Sequence, residues 1–451
     1  MNTQNNITHY FFIGIGGIGM SGLARYFKAR GFAVSGYDKT PSSMTKALEN
    51  EGIPVVFNAS LSAVPKGFLN KETTQIVYTP AIPKSQEQFV YFKEQNFSVK
   101  KRAEVLGDVT KNQNTLAVAG THGKTTTTSI LAHLLKDSGL NITAFLGGVS
   151  ENYNTNFIND GLDAIVVEAD EFDRSFMHLS PNKIAITSMD ADHLDIYGSA
   201  EELSHTFKGF ADLVKDKSNV FLAKGLPLKG ISISVDGNAD ITAEDITIKD
   251  GSYRFNLRLQ DNIIKGFEFN LPGKHNLQNA VTALALAAPF VSPSNSLTKA
   301  LASFKGVQRR FTYRIKSEKL TIIDDYAHHP SEINAVNQAV REMHPNKKVL
   351  AVFQPHLFSR TRDFINEFAE SLSKFDSVVL LDIYPAREEP IDGITSQALL
   401  KLIANPNKKI IGKVDLIKEV KATSAEVVAM MGAGDIGEEI LKVTKAMRNE
   451  D

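Results

Sequence analysis

The chain lacks cysteine altogether, which excludes disulfides, thiolate metal sites and a cysteine nucleophile. It also lacks net charge: 50 Lys and Arg against 51 Asp and Glu leave −1. No long-range field draws such a chain to nucleic acid or to an anionic lipid surface. There is no apolar run of membrane-spanning length, and the polar opening MNTQNNITHY is not that of a signal peptide. Short-period repeats and low-complexity tracts are missing as well. At 451 residues the length suggests about three domains. The expectation is a cytoplasmic multi-domain enzyme that acts on small molecules, with neither nucleic acid nor membrane as partner.

What is present is most concentrated in NTLAVAGTHGKTTTTSI, residues 114–130. Leu116, Val118 and Ala119 read as a buried strand, and Ile130, Leu131, Leu134 and Leu135 recur at helical spacing. The glycine-turned loop between them therefore sits at a helix N-terminus, where unpaired N–H groups and the helix dipole attract an anion. Gly123 lets the backbone approach a phosphate, Lys124 supplies a point charge, and the hydroxyl of Thr125 or Thr126 can ligate Mg²⁺. The usual pattern wants a glycine where this chain has Val118. Strand, glycine, Gly-Lys-Thr and helix nonetheless agree in order, and they point to a nucleoside triphosphate.

Three segments differ in texture. The first, to about residue 102, alternates short apolar strands (HYFFIGIGGIGM, FAVSGYD, QIVYTPAI) with helical stretches. The second, 103–311, carries the phosphate loop and the strands ITAFLGG, LDAIVVEAD and KIAITSMD. A helix around 200–214 follows, and then a period-two stretch from Ile231 broken by Asp-Gly and Asp-Asn, which predicts antiparallel hairpins. A helix is predicted from about Leu277. The third, 312–451, alternates LTIIDD, KVLAVFQ, SVVLLDIY, KIIG and EVVAMMG with helices. Such alternation predicts an α/β protein with a parallel, doubly wound sheet in each outer segment and ligands at the carboxyl ends of strands.

Chemistry-bearing residues gather at those ends. Gly14, Gly16 and Gly19 fit G-x-G-x-x-G, with Asp38 closing the next strand, a pattern suited to a diphosphate-bearing nucleotide. Glu168, Asp170, Glu171 and Asp173 end another strand and repel one another unless a cation relieves them. Glu168 stands where an acid can ligate Mg²⁺ beside the phosphate-loop threonine, the rest reading as a solvated turn in part. His193, between Asp192 and Asp195, suits a second cation or an orienting hydrogen bond. DDYAHHP (Asp324, Asp325, Tyr326, His328, His329) and FQPHLFSRTRD (His356, Arg360, Arg362) end two strands whose adjacency would aim both sets into one crevice. Either arginine could clamp a carboxylate or phosphate. GKHNLQN (Lys274, His275, Asn276, Asn279) and VQRRF (Arg309, Arg310) add donors that could read a nucleotide or cap a helix.

Together GIGGIGMSGLA, GTHGKTTTT, EADEFDRSF, DADHLDIYG, GKHNLQN, GVQRRF, DDYAHHPSEI, QPHLFSRTRDF and GAGDIG, in that order, resemble the Mur ligases of bacterial peptidoglycan synthesis over essentially the whole chain. The resemblance implies a Rossmann-like N-terminal domain for a UDP-sugar, a central P-loop ATPase domain and a Rossmann-like C-terminal domain that closes over the site. It implies ATP and Mg²⁺ as cofactors, and within the family it points to the branch that joins L-alanine to UDP-N-acetylmuramate. Gly14, Gly16, Gly17, Gly19 and Asp38 would then hold the UDP-sugar. Gly120, Thr121, His122, Gly123, Lys124, Thr125, Thr126, His275, Asn276, Asn279, Arg310 and Asp325 would surround ATP. Thr125, Glu168 and His193 would serve the metal, and Tyr326, His328 and Arg360 the incoming amino acid. Lys124, Glu168, His193 and Arg360 would carry the reaction, in a monomer or a homodimer. The chain departs from the family at Leu357, where many relatives have arginine, and at Arg387, where a small residue is common.

Other readings predict different behaviour. A ligase that recycles a ready-made peptide onto the same sugar would share the glycine and ATP motifs and differ around QPHLFSRTRD. A folate-type polyglutamate ligase lacks the first segment. An NAD-dependent oxidoreductase joined to an NTPase would bind NAD, and a non-catalytic nucleotide-binding module would leave Glu168, His193 and Arg360 without a shared purpose.

Overall fold

Three stretches of βα alternation become three sheets. The computed structural model describes residues 6–190, 197, 199–249, 252–292, 295–386 and 388–448. In the first sheet β1 (His9–Ile13), β2 (Ala33–Tyr37), β3 (Val55–Val56), β4 (Thr74–Tyr78) and β5 (Ser98–Lys101) lie in the order 3-2-1-4-5. All neighbours are parallel. Alternate residues of β1 face opposite cores: Phe11 and Ile13 pack with Phe68 and Phe92, and Phe12 with Leu23 and Phe27. The strand order reverses beside β1, the place where a doubly wound sheet opens a ligand crevice.

The second sheet comprises β6 (Thr115–Ala119), β7 (Ile142–Ser150), β8 (Thr155–Asn159), β9 (Ala164–Glu168), β10 (Lys183–Ile186), β11 (Val220–Ala223), β12 (Ile231–Ser234), β13 (Ile241–Lys249), β14 (Ser252–Leu259) and β15 (Asn262–Phe269). Its order is 15-14-13-12-11-10-6-9-7-8. β6 is buried along its whole length between parallel β10 and β9, as a continuous apolar run demands. The stretch from Ile231 departs from its expected hairpins at the start, because β12 is parallel to both β11 and β13. Alternation of apolar residues fixes which face of a strand is buried; the connections fix its direction. Further on, the neighbours β14 and β15 are separated only by Gln260 and Asp261, a gap that an antiparallel turn closes.

β16 (Thr312–Lys316), β17 (Thr321–Asp325), β18 (Val349–Phe353), β19 (Ser377–Leu380), β20 (Lys408–Ile410) and β21 (Val427–Met431) form the third sheet, in the order 16-17-21-18-19-20. It is parallel except for β16, an antiparallel edge strand. β17 and β18 are therefore not neighbours, contrary to expectation; the last strand of the chain inserts between them.

The chain gathers into two compact units. One takes Met1–Ile246, Phe255–Glu268 and Gln278–Phe304, the other Thr247–Arg254, Phe269–Leu277 and Lys305–Asp451. Within the first, side chains of the first two sheets share one apolar cluster, in which Phe12 and Tyr26 join Phe145 and Val167. Among the described residues no helix is long and apolar enough to cross a membrane.

Candidate active site

β6 ends at Ala119, and the chain turns at Gly120 with φ +136°. A Cβ there would collide with Thr187 Oγ1, so the loop lies flat against the end of β10. Ser188 fixes it: its Oγ lies 2.9 Å from Thr121 Oγ1 and accepts the His122 N–H at 2.7 Å. Thr121 Oγ1 in turn accepts the Asp190 N–H at 3.0 Å. Gly123 then opens the helix Lys124–Asp137 with φ +83°, and a Cβ at this position would lie 2.5 Å from Asn279 Oδ1. Left-handed backbone and a close amide together require glycine here. Thr126 is buried on the same first turn.

Lys124 Nζ donates to the Gly120 carbonyl at 2.5 Å and pairs with Glu171 Oε1 at 2.8 Å. Burial alone would depress this ammonium, but Glu171, Asp170 and Glu168 outweigh it and hold Lys124 above the usual lysine value. The acidic stretch after β9 is thus neutralised from within the unit. Asp170 accepts from Arg102 at 3.2 Å and Asp173 from Lys101 at 2.9 Å, where the sequence alone suggested a partly solvated turn. Glu171 went unnoticed as the lysine's partner, although its place two residues from Asp173 in an acid-rich strand end was the available signal.

Thr125 Oγ1 donates to Glu168 Oε1 at 3.1 Å. The Glu168 carboxylate presses against β7 at Gly147, where a Cβ would overlap it. A hydroxyl and a carboxylate side by side are an all-oxygen donor pair of the kind that would suit Mg²⁺. Among the described residues no three His, Asp or Glu side chains gather for a metal, and a magnesium site of this kind needs only one or two protein ligands. His193, Asp192, Asp195 and Arg387 lie outside the described residues.

In the first sheet the N–H groups of Gly14 and Ile15 donate to the Tyr37 carbonyl at 2.7 and 3.0 Å. Asp38 Oδ2 accepts the Gly16 N–H at 2.8 Å. Asp38 thus braces the glycine loop itself. Gly17 is the N-cap of the helix Ile18–Ala29, and Gly19 leaves room for Arg102, whose Nη1 would sit 2.8 Å from a Cβ there.

The second unit gathers the rest. Asp325 is buried, accepts N–H bonds from Phe311 at 2.7 Å and Ala327 at 2.8 Å, and is pushed by burial up to about 7 against the pull of Arg310. The guanidinium carbons of Arg309 and Arg310 lie 5.0 and 5.1 Å from the Tyr326 ring centroid. His328 donates from Nδ1 to the Tyr326 carbonyl at 2.9 Å, which leaves Nε2 as an acceptor. Burial pushes it down to about 4, so it is neutral at physiological pH.

The His328 and His356 rings are 6.2 Å apart. The two expected residue sets therefore do meet, across the end of β21 rather than between adjacent strands. Just beyond that strand the chain carries Gly432 and Gly434, which fit closely against its neighbours. A Cβ at Gly432 would lie 2.8 Å from the Gln354 carbonyl, and one at Gly434 would lie 2.6 Å from Gln354 Oε1 and 2.7 Å from Tyr384 Cγ. Arg360 is buried, with Nη1 3.4 Å from His356 Nδ1, while Arg362 is half exposed and pairs with Asp363 at 2.8 Å.

The GKHNLQN residues open the helix Lys274–Ala287 and have different immediate neighbours. Asn279 packs on Gly123, as above. His275 fits against Gly273 in the second unit, where burial pushes it down to about 4, and Asn276 donates to the Pro272 carbonyl at 2.7 Å.

Comparison with known proteins matches the chain in three consecutive parts. Residues 9–114 match the Mur ligase family catalytic domain, 118–287 the Mur ligase middle domain and 309–437 the Mur ligase glutamate ligase domain. A UDP-N-acetylmuramate–L-alanine ligase of Christiangramia forsetii is 58% identical over 451 residues, covering 100% of both chains. The crystal structure of UDP-N-acetylmuramate-alanine ligase from Thermotoga maritima superimposes with a TM-score of 0.83 at 27% identity, covering 98% of this chain and 100% of that one. A murein peptide ligase from Psychrobacter arcticus has the same fold, with a TM-score of 0.70 at 22% identity over 98% of this chain and 99% of its own.

Proposed function

The chain belongs to the Mur ligase family, and from that membership we propose that it joins L-alanine to the lactyl carboxylate of UDP-N-acetylmuramate at the expense of ATP, in the cytoplasm. The full-length similarity to a ligase of that name, 58% identical from end to end, carries the reading. The geometry supports it by supplying a part for each step.

A carboxylate resists an amine because its oxygen is a poor leaving group. Transfer of the γ-phosphoryl group of ATP to that oxygen gives an acyl phosphate. The neutral amine of alanine then adds to the acyl carbon, and collapse of the tetrahedral species breaks the C–O bond, phosphate departing with the electron pair. Lys124 and the N–H groups around Gly123 cradle the transferred phosphoryl charge. Thr125 and Glu168 are the residues that would hold Mg²⁺, which when bound neutralises phosphate charge. Gly14, Gly16, Gly17, Gly19 and Asp38 form the loop for the sugar diphosphate. Arg360 offers a fork for the alanine carboxylate, while Tyr326 and His328 line its approach.

The test is phosphate release from ATP and Mg²⁺ with UDP-N-acetylmuramate, comparing L-alanine with the L-Ala-D-Glu-diaminopimelate tripeptide. Release that requires free L-alanine is the expected result. Release with the tripeptide alone would transfer the chain to the peptide-recycling branch.

A further inference from the structure

Tyr384 and Glu388, from the segment DIYPAREEP, have no part in the proposed chemistry, yet they contact residues 355–359, immediately before the arginine assigned to alanine. Leu357 precedes the helix Phe358–Asp363 that carries Arg360, and its backbone sits at φ +70°, ψ 137°. A leucine rarely adopts that conformation and does so only when its surroundings over-determine it. The surroundings are this segment. The Leu357 N–H donates to the Tyr384 carbonyl at 3.0 Å, the Tyr384 N–H donates to the Pro355 carbonyl at 2.8 Å, and His356 and Tyr384 form an isolated parallel bridge. The Tyr384 ring stacks on His356 with centroids 5.7 Å apart and planes 15° from parallel. Glu388 then caps the arginine helix, accepting the Ser359 N–H at 2.9 Å and the Ser359 hydroxyl.

Tyr384 also lines a cavity of about 260 Å³, together with Gln354, Asp382, Ile383, Pro385, Ile411 and Lys413. Tyr384 is thus stacked on His356 and also borders open space. Its contacts serve to fix His356 and, through Leu357 and the helix cap, the direction of the Arg360 fork.

We propose that Tyr384 and Glu388 are positioning residues of the amino-acid clamp: Tyr384 by stacking on His356 and bonding the strained Leu357 backbone, Glu388 by capping the Arg360 helix. The proposal rests on the assignment of Arg360 to the alanine carboxylate. Neither residue need touch substrate. Each acts through Arg360, where a displacement near an ångström is costly to a bidentate contact.

The experiment is steady-state kinetics of the full-length enzyme for all three substrates, with Tyr384→Ala, Tyr384→Phe, Glu388→Gln and Arg360→Ala, together with melting temperatures. Tyr384→Ala enlarges an existing cavity and should raise KM for L-alanine roughly ten- to a hundredfold. KM for ATP and for the UDP-sugar should stay within about twofold, because the clamp touches neither. Tyr384→Phe keeps ring and backbone and should retain the wild-type KM for alanine. Glu388→Gln keeps one acceptor and should give a smaller rise in the same constant. Equal rises in all three constants for Tyr384→Ala, or none for alanine, overturn the positioning role. Should Arg360→Ala itself leave KM for alanine unchanged, the assignment of the clamp fails. Should Arg360→Ala raise it while Tyr384→Ala does not, the positioning role alone fails.

Discussion

Glu171 Oε1 stands 2.8 Å from Lys124 Nζ, the carboxylate 1% exposed and the ammonium 13%. Lys124 therefore has a buried counterion of its own, and under the proposed function an arriving phosphate would find that ammonium already held in place. Lys124→Ala should lower turnover by about a hundredfold or more while leaving UDP-sugar affinity by calorimetry unchanged. It also takes the buried ammonium away from Glu171, and breaking a buried pair from one side costs about 3–5 kcal/mol. Glu171→Gln added to Lys124→Ala should restore the melting temperature without restoring turnover. A single variant that turns over normally would sink the mechanism.

Gly147 and Glu168 make a second test. Alanine at 147 forces the Glu168 carboxylate away from Thr125, since the new Cβ takes its space. The Mg²⁺ concentration for half-maximal rate should rise roughly tenfold, the usual scale for disturbing a metal's supporting geometry. An unchanged Mg²⁺ titration would remove Glu168 from the metal site.

Asp38→Ala releases the Gly16 N–H from its acceptor. A hydrogen bond of this kind contributes about 1–1.5 kcal/mol, so KM for the UDP-sugar should rise roughly tenfold and KM for ATP should not move. Loss in the ATP constant instead would place the first glycine loop at the wrong substrate.

Much of this is legible in the sequence, and the rest is hidden from it for physical reasons. Continuous apolar runs such as LAVA and AIVV gave β6 and β9, because a strand buried on both faces needs no partner information to be recognised. β8 (TNFIN) and β16 (TYRIK) are harder to see because they are short edge strands rich in polar residues. That β21 lies between β17 and β18 is a matter of chain path, which no local pattern carries. Likewise the acids after β9 could be seen to need cations, but the cations, Lys101, Arg102 and Lys124, come from other segments. Leu357 drew notice for replacing an arginine; its left-handed backbone was visible only in three dimensions.

Asp325 supplies a pH test. Its carboxyl is raised by burial from 3.8 to about 7. Between those values the folded protein holds a proton that the unfolded chain has released, so this group's contribution to stability falls as pH rises through that window. Asparagine removes the titration. Its amide NH₂ must also face one of the two N–H donors, from Phe311 and Ala327, at a pH-independent cost of about 1–3 kcal/mol. In calorimetric scans from acid to neutral pH, Asp325→Asn should therefore melt below the wild type at the acid end, with the gap closing towards neutrality. His275 and His328, both depressed to about 4, have the opposite slope, but they are common to both proteins and cancel in the difference. Parallel curves would show that Asp325 is ionised throughout.

The bare backbone after β21 has a consequence for anyone who would redirect this enzyme to another amino acid. Gly432 and Gly434 carry no side chain, and the chain at the end of β18 and the Tyr384 ring occupy the volumes that side chains there would fill. A mutant library spread over His356, Leu357 and Tyr384 would reshape the proposed amino-acid clamp only while those two codons stay fixed. Randomise them with the rest, and most clones would lose the scaffold on which any pocket is drawn.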